Sequence, residues 1–304
     1  MRIKSLTILL FFPVFVISQS MEKWVEHVKW DGYSHWSKYI IYSSEYMSPN
    51  SLPVPDIGNG SIDSTNHIGI ESGFHFAPGD KAQHIRFVAN HCLYKDLISV
   101  QLTWLPIEWY QSTDEFKINR NVYYQNFYDK HAAGDVILNT TIQLLNRWRK
   151  YQHVALRVGY RFPTSNGVGA SRFTDAPGYY FDLSAARVFK NHPQWKLIAM
   201  SGFYVWQMNV YGQDDAFLVG AGTEFNNNKV RFQIYTSGYF GWRRIGDDPV
   251  ITGIYLEKRM KRISVNLNLR QGLHDVEYST IAAGIKYNFL PAKKSNIQIS
   301  NYVF

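Results

Sequence analysis

Apolar and polar residues alternate along most of the chain after residue 65. In the clearest run, Ile263 to Arg270, every odd position is aliphatic and every even position is polar. A period of two is the repeat of a β-strand with one apolar face, and a helix cannot separate such a sequence into two faces. Comparable runs cover Ile98 to Trp104, Val154 to Phe162 and Val230 to Tyr235. The pattern predicts an all-β chain.

Further segments with weaker alternation bring the expected number of strands to about 12, with 14 as the upper limit. These further segments are Ile68 to Phe76, Ile85 to Leu93, Ala133 to Leu145, Tyr179 to Val188, Trp195 to Met208, Phe217 to Phe225, Val250 to Arg259, and Ile281 to Phe289. Most are longer than the ~5–6 residues usual in soluble sheets, and they suit tilted membrane strands. Strand length therefore favours an up-and-down antiparallel transmembrane β-barrel over a soluble β-sandwich.

The connections between these strands fall into two groups by length. Asn226 to Lys229 and Met260-Lys261 are tight turns, whereas Gln111 to Lys130, Pro163 to Pro177 and Arg243 to Pro249 are longer loops. Outer-membrane barrels have short turns on one rim and longer loops on the other. The connections support the same fold.

The first residues are typical of a secretory signal peptide. Arg2 and Lys4 precede the apolar stretch Leu6 to Ile17, and small residues follow near Ser18. An apolar stretch of this length suits a signal sequence and is shorter than the ~20 residues that a membrane-spanning helix needs. We predict a signal peptide over 1–18, an N-terminal segment over 19–65, and a barrel over 66–304 in the outer membrane.

The segment 19–65 lacks the alternation of the barrel. A strand is possible around Lys38 to Tyr42, but Pro49, Pro53 and Pro55 then exclude a continuous hydrogen-bonded ladder. The segment could plug the lumen, cap the periplasmic mouth, or simply lead into the barrel. The sequence leaves these three roles open.

Composition agrees with a barrel that is apolar outside and polar inside. Aromatic residues make up 16% of the chain, yet the mean hydropathy is −0.27 and no later segment is continuously apolar. The single cysteine, Cys92, excludes an internal disulfide. The net charge of +8, or +6 after loss of Arg2 and Lys4, is dispersed along the chain, so we expect no nucleic-acid partner. The expected partners are membrane lipid and lipopolysaccharide.

Several motifs resemble those of bacterial outer-membrane β-barrels. The ending Tyr302-Val303-Phe304 is similar to the terminal aromatic strand that the barrel-insertion machinery recognises, which implies this machinery as a partner through Phe304. Gly134 to Val136, Val158 to Thr164 and Thr174 to Tyr179 resemble the phenol meta-pathway (MetA-pathway) family of transport barrels. The resemblance implies a channel for a solute.

Two positions could close the barrel. Ile281 to Phe289 alternates well, whereas Ser300 interrupts the apolar face of the run from Ile297 to Phe304. Because a terminal aromatic residue is part of the resemblance to outer-membrane barrels, we expect the last strand of the barrel to end at Phe304.

Catalytic and metal-binding patterns are weak. The chain has no Gly-x-Ser-x-Gly motif, so an acyl-hydrolase, of the phospholipase or lipid A deacylase kind, is only an alternative. His67, His75, His84 and His91 are close in sequence, but His67 and His75 would lie about 26 Å apart on one extended strand. We therefore predict no catalytic residues, no metal and no cofactor.

The polar face of the strands defines the expected lumen, together with two acidic residues near the loop at Pro163 to Pro177. The predicted lumen-lining or solute-binding residues are Glu71, Arg86, Gln101, Arg157, Arg161, Asp175, Asp182, Glu224, Arg231, Gln233, Glu257, Asn266, Asn268, Arg270 and Lys286. Such a lumen predicts passive or facilitated transfer of a small polar or amphipathic solute. The alternative is a purely structural barrel filled by ion pairs.

Arg157 and Arg161 give a specific expectation. They share one face of a strand about 13 Å apart, so each needs its own anionic partner. Asp175 and Asp182 are the nearest carboxylates in sequence after the loop begins. We predict that the loop folds inward and that Asp175 or Asp182 meets one of the two arginines at a constriction.

Overall fold

Twelve long antiparallel strands close into a barrel in the computed structural model, which describes residues 20–145, 152–208 and 212–289. The strands are β1 (His67–Ala77), β2 (Asp80–Tyr94), β3 (Ile98–Ser112), β4 (His131–Ala132), β5 (Val136–Leu145), β6 (Gln152–Phe162), β7 (Gly178–Phe189), β8 (His192–Gln207), β9 (Gln213–Asn226), β10 (Val230–Gly241), β11 (Val250–Arg259), β12 (Ile263–His274) and β13 (Ser279–Asn288). The two-residue β4 pairs with β3 in line with β5 and in the same register, and the other strands pair in chain order. The predicted all-β, up-and-down barrel of about 12 strands is confirmed.

The ring closes where β13 pairs with β1. The register runs from His67 opposite Asn288 to Phe76 opposite Ser279, and the amide of Phe289 donates to the carbonyl of Asn66 at 2.8 Å. The expectation that Phe304 closes the barrel is therefore wrong, because β13 already satisfies the free edge of β1. Residues 290–304, like the predicted signal peptide, lie outside the described residues.

The two ends of the barrel differ in their connections. At the end that carries the start of β1 and the end of β13, here called the turn end, β2, β7, β9 and β11 lead into the next strand through 95–97, 190–191, 227–229 and 260–262. At the opposite end, here called the loop end, the long connections are 113–135, 163–177 and 242–249. The first of these holds the short helix α2 (Asp114–Asn119), which the Thr113 side chain caps.

The outward face of the barrel is apolar around its circumference. Large side chains such as Val158, Phe181, Leu267 and Ile285 are 38–46% exposed on strands from different sides of the ring. A soluble monomer rarely exposes a continuous apolar surface of more than a few hundred Å². Such a belt fits the hydrocarbon core of a bilayer, where strands satisfy their backbone groups by pairing.

The N-terminal segment begins on the loop 113–135 at the loop end and then enters the ring. Residues 20–28 form helix α1, and a 3₁₀ turn over Trp36–Tyr39 replaces the strand considered around Lys38 to Tyr42. No helix in the described part of the chain is long and apolar enough to span a bilayer. Residues 40–65, here called the lumen segment, then run through the barrel, and its apolar residues pack on Trp206, Leu218 and Tyr239 of the wall. The principal hydrophobic core is thus within the lumen.

The lumen segment runs from the loop end to the turn end. At the loop end, Trp24 is 1% exposed and its indole donates to the carbonyl of Asn121, while Trp36 stacks on Tyr123. At the turn end, Asn90 donates to the carbonyl of Thr65 at 2.7 Å. The chain therefore crosses the barrel once through its interior before β1 begins.

Because the outward face is apolar, the loss of folding free energy caused by a charge placed on it should depend on its depth in the bilayer. Leu267→Arg, near the middle of β12, should destabilise the barrel in a bilayer by about 2–4 kcal/mol, because the guanidinium would face hydrocarbon. Ile263→Arg is the matched control, since Ile263 is equally exposed (39% against 38%) but lies at the turn end of the same strand.

We expect the control to cost about 0–1 kcal/mol, measured by reversible denaturant unfolding from lipid vesicles. Equal, negligible costs at both positions would contradict a lipid-facing belt.

Candidate functional site in the barrel lumen

The lumen segment is held by donors that the wall presents to its backbone carbonyls. Its prolines prevent a ladder, so these carbonyls need other partners inside the barrel. The donor–carbonyl pairs, from the loop end to the turn end, are Trp206–Tyr42, Arg120–Met47, Arg161–Ser51, Tyr239–Leu52, Arg157–Asp56, Lys196–Asn59, Gln143–Gly60 and Asn90–Thr65. Donors from β2, β5, β6, β8 and β10, together with Arg120 of the loop 113–135, therefore fix one path for the segment.

A buried ion-pair network stands near the loop end. Arg172 comes from the loop 163–177, which folds inward, and its guanidinium lies 2.8 Å from Asp80 and 2.6 Å from Glu108. The hydroxyl of Tyr278 donates to Asp80 at 2.5 Å. All of these groups are almost fully buried, and each charge has a partner of opposite sign. The network joins the loop to β2 and β3.

Arg157 and Arg161 both point into the barrel. Arg157 Nε lies 2.8 Å from Asp182 Oδ2, and a second nitrogen donates to the carbonyl of Asp56. Arg161 has Asp135 at 3.6 Å as its carboxylate partner, a residue that the sequence argument did not consider. Asp175 meets neither arginine, because it stands exposed on the loop with a φ of 49°.

The turn end holds a second group of the predicted lumen residues. Glu224 is fully buried and accepts from Lys196 at 3.0 Å, from Arg231 at 2.9 Å and from Asn59 of the lumen segment at 3.1 Å. Lys286 on β13 lies 3.6 Å from Glu257 on β11, and Glu257 stands directly opposite Arg231 in the sheet register. The ion pairs of Glu224 join neighbouring strands, and the pair Lys286–Glu257 reaches across β12.

The remaining predicted residues also lie on the inward face. Glu71 pairs with Arg86 at 3.1 Å and accepts from Asn266, while Arg270 pairs with Asp56 of the lumen segment. Gln233 and Asn268 are buried, and Gln101 is half-buried opposite Asn90 and Asn139 in the sheet register. Their part in binding or passing a solute stays a prediction.

Sequence reasoning missed several residues of the lumen. His75 and His84 meet across the β1–β2 hairpin, although spacing along one strand suggested no contact between histidines. Glu108 follows an irregularity in the pairing of β2 with β3, where Trp104 and Ile107 are successive partners, so simple alternation does not reach it. Arg172 lies in a loop and carried no periodic signal. The register of the β1–β2 hairpin is the signal that would have placed the two histidines next to each other.

A cavity of about 50 Å³ lies beside this histidine pair. Its lining includes Asn50, Glu71, Arg86, Arg270 and Tyr278. This volume suits about one or two water molecules. The cavity gives the polar side chains a small wet space between the lumen segment and the wall.

Comparison with known proteins identifies the fold. No family model and no curated protein matches the chain. Among solved structures, the COG4313 outer membrane channel from Pseudomonas putida F1 is similar with a TM-score of 0.55 and 11% identity, over 77% of this chain and 100% of that one. The KdgM porin matches with a TM-score of 0.48 and 7% identity, over 73% and 99% of the two chains. The structural neighbours are outer-membrane β-barrels, and at these identities the likeness shows the fold.

The pairing of Arg157 with Asp182 predicts that Asp182 and Asp175 contribute differently to the stability of the barrel. Asp182→Asn should destabilise the barrel by about 3–5 kcal/mol, because it leaves a buried guanidinium without its carboxylate. Asp175→Asn is the control, since this side chain is exposed and asparagine accepts its left-handed backbone.

Denaturant unfolding of both variants in the same detergent is the measurement, and the control should stay within about 0.5 kcal/mol of the parent. A larger loss for Asp175→Asn than for Asp182→Asn would contradict this assignment.

Proposed function

We propose that this protein is an outer-membrane channel for a small polar or amphipathic solute, and that its lumen segment is the gate. The supporting observation is the row of wall side chains that donate to the carbonyls of residues 42–65. Such a lumen is closed as long as the segment stays on its path. Passage of a solute requires the segment to shift.

The orientation follows from the connections. Outer-membrane barrels have their short turns in the periplasm and their longer loops outside. With this orientation, helix α1 packs at the outer mouth and the lumen segment descends to the periplasmic end. The apolar belt then contacts membrane lipid, with lipopolysaccharide on the outer leaflet, and Phe304 is proposed to engage the barrel-insertion machinery.

Most ion pairs of the lumen are independent of the segment. Arg157–Asp182, Arg231–Glu224 and Arg86–Glu71 each join two residues of the wall. If the segment moves, these charges keep their partners and the freed donors can be solvated. Arg270–Asp56 is an ion pair that the movement breaks, so this pair is a natural latch.

The solute class follows from the wall. Its charges occur in pairs of opposite sign, and buried amides such as Gln233, Asn266 and Asn268 lie among them. Tyr235 and Tyr255 add surfaces that are apolar in the ring and polar at the hydroxyl. A mixed wall of this kind selects weakly by charge and admits uncharged polar or amphipathic molecules.

A reversible lock tests the gate. A Cβ built on Gly58 would lie 2.6 Å from the Cβ of Ser184, so the two positions face each other across the segment and the wall, and a shift of about 1 Å brings them to the Cβ–Cβ separation of a disulfide. We expect Gly58→Cys with Ser184→Cys, in a Cys92→Ser background, to abolish single-channel conductance when oxidised and to recover it on reduction. The Ser184→Cys variant without the partner cysteine is the control, and its conductance should not respond to the oxidant.

Weakening the latch is the opposite test on the full chain. Asp56→Asn removes the charge that meets Arg270, so the open fraction in planar bilayers and the solute flux into liposomes should rise. If solute flux is unchanged both by the Gly58–Ser184 disulfide and by Asp56→Asn, the solute does not pass the lumen segment. If heat-modifiable, folded protein conducts in neither variant, the purely structural barrel is the better account.

A further inference from the structure

A second feature of the lumen is a cluster of potential metal ligands near the loop end. His75 on β1, His84 on β2 and Glu108 on β3 are all at most 3% exposed. One ligand atom from each lies within 4.8 Å of the other two. The register explains the meeting, because His84 stands opposite Gly73 on one side and Glu108 on the other.

When the outer nitrogen of each imidazole carries the proton, the unshared electron pairs of the cluster converge on one point. His75 Nδ1 faces the Thr280 hydroxyl at 2.8 Å, and His84 Nε2 faces Glu71 at 4.0 Å. A proton on each of these outer nitrogens leaves His75 Nε2 and His84 Nδ1 as two acceptors only 2.8 Å apart. Two facing acceptors repel each other unless a proton or a cation lies between them.

Asn50 of the lumen segment occupies that point. Its side-chain nitrogen lies 3.1 Å from His75 Nε2, 3.2 Å from His84 Nδ1 and 2.5 Å from Glu108 Oε2. A primary amide has only two hydrogens, so it cannot satisfy three acceptors. The arrangement of acceptors therefore suits a cation better than it suits this amide.

We propose that His75, His84 and Glu108 bind a divalent transition-metal ion such as Zn²⁺, with the amide oxygen of Asn50 as the fourth ligand. Two imidazoles, one carboxylate and one further oxygen form a donor set that zinc accepts in tetrahedral geometry. At Zn–N distances of about 2.0–2.1 Å, the two nitrogens must separate to about 3.3 Å. The bound oxygen requires a rotation of the Asn50 amide, whose oxygen now accepts from Arg86.

The surroundings support each ligand. The Thr280 hydroxyl hydrogen-bonds His75 Nδ1, and Arg172 holds the other oxygen of Glu108, as outer partners do at metal sites; Glu71 lies 4.0 Å from His84 Nε2. Arg172 also pairs with Asp80, and Arg86 pairs with Glu71, so neither arginine depends on Glu108 alone for a partner of opposite charge. A side chain at position 73 would overlap the ring of His84, since a Cβ there would lie 2.3 Å from Cε1.

An approach to the site also exists. The cavity of about 50 Å³ is lined by Asn50, His75 and His84, so it has room beside the ligands for an ion that has already lost most of its hydration water. Three ligands belong to the wall and the fourth to the lumen segment. The metal would thus fasten the segment to the wall, a consequence that rests on the proposed gating function.

Metal binding is tested on the full mature chain, folded in detergent and freed of metal with EDTA. Titration with ZnCl₂, followed by desalting and metal analysis, should give one zinc ion per chain, whereas MgCl₂ should give none. His84→Ala should weaken zinc binding by at least about 100-fold, because loss of an outer partner alone costs about 10–100-fold. His91→Ala is the matched control, since this histidine is exposed on the same strand and should bind zinc like the parent.

Asn50→Ala tests the contribution of the lumen segment to zinc binding separately from that of the three wall ligands. This variant should still bind one zinc ion, with an affinity lower by about 10-fold. Co²⁺ in the parent protein should give the visible absorption of a tetrahedral site, which serves as a readout if His84→Ala fails to fold. A parent protein that retains no zinc, or equal affinities in His84→Ala and His91→Ala, overturns the metal site.

Conductance then distinguishes the site from the gate. Zinc should lower the open fraction of the parent channel and leave His84→Ala unaffected. Stoichiometric zinc binding without an effect on conductance would keep the site and overturn its role in gating. Absence of zinc binding in a protein whose conductance responds to the Gly58–Ser184 lock would overturn the site and leave the proposed channel intact.

Discussion

Closure of the strand ring is the constraint on which the rest of the structure depends. Within hydrocarbon, every backbone amide and carbonyl must find a partner in the protein, and a sheet achieves this only when its two edges meet. The pairing of β13 with β1 provides that closure. A ring of this size encloses more space than its own side chains fill, since barrels of about 8 strands are the ones that fill themselves. The interior must therefore hold water or another part of the chain.

The lumen segment fills this interior. Three prolines keep it extended and unpaired with any strand, so its carbonyls are free for the wall donors. Its apolar residues build a core against one side of the wall, and the opposite side remains polar around His75, His84 and Arg86. In the proposed function the same segment closes the channel, and it also supplies Asn50 to the proposed metal site. Gating and metal binding thus depend on one path of the chain.

The sequence predicts the wall far better than its contents. Alternation is a local property, so runs such as Ile263 to Arg270 reveal both the strand and its inward residues. The partner of each inward charge depends on register and on loops: Asp182 is adjacent to Arg157 through β6–β7 pairing, whereas Asp135 reaches Arg161 from outside the strands. The path of residues 40–65 depends on many such distant contacts. No periodic signal encodes it.

Surface labelling tests the path of the segment most directly. Tyr33 is 85% exposed at the loop end, near the start of the segment, and Asn228 lies in a short turn at the opposite end. In a Cys92→Ser background, Tyr33→Cys should react with a membrane-impermeant maleimide on intact cells, and Asn228→Cys only after the outer membrane is permeabilised. Reaction of Tyr33→Cys only after permeabilisation would contradict a segment that enters the lumen from outside.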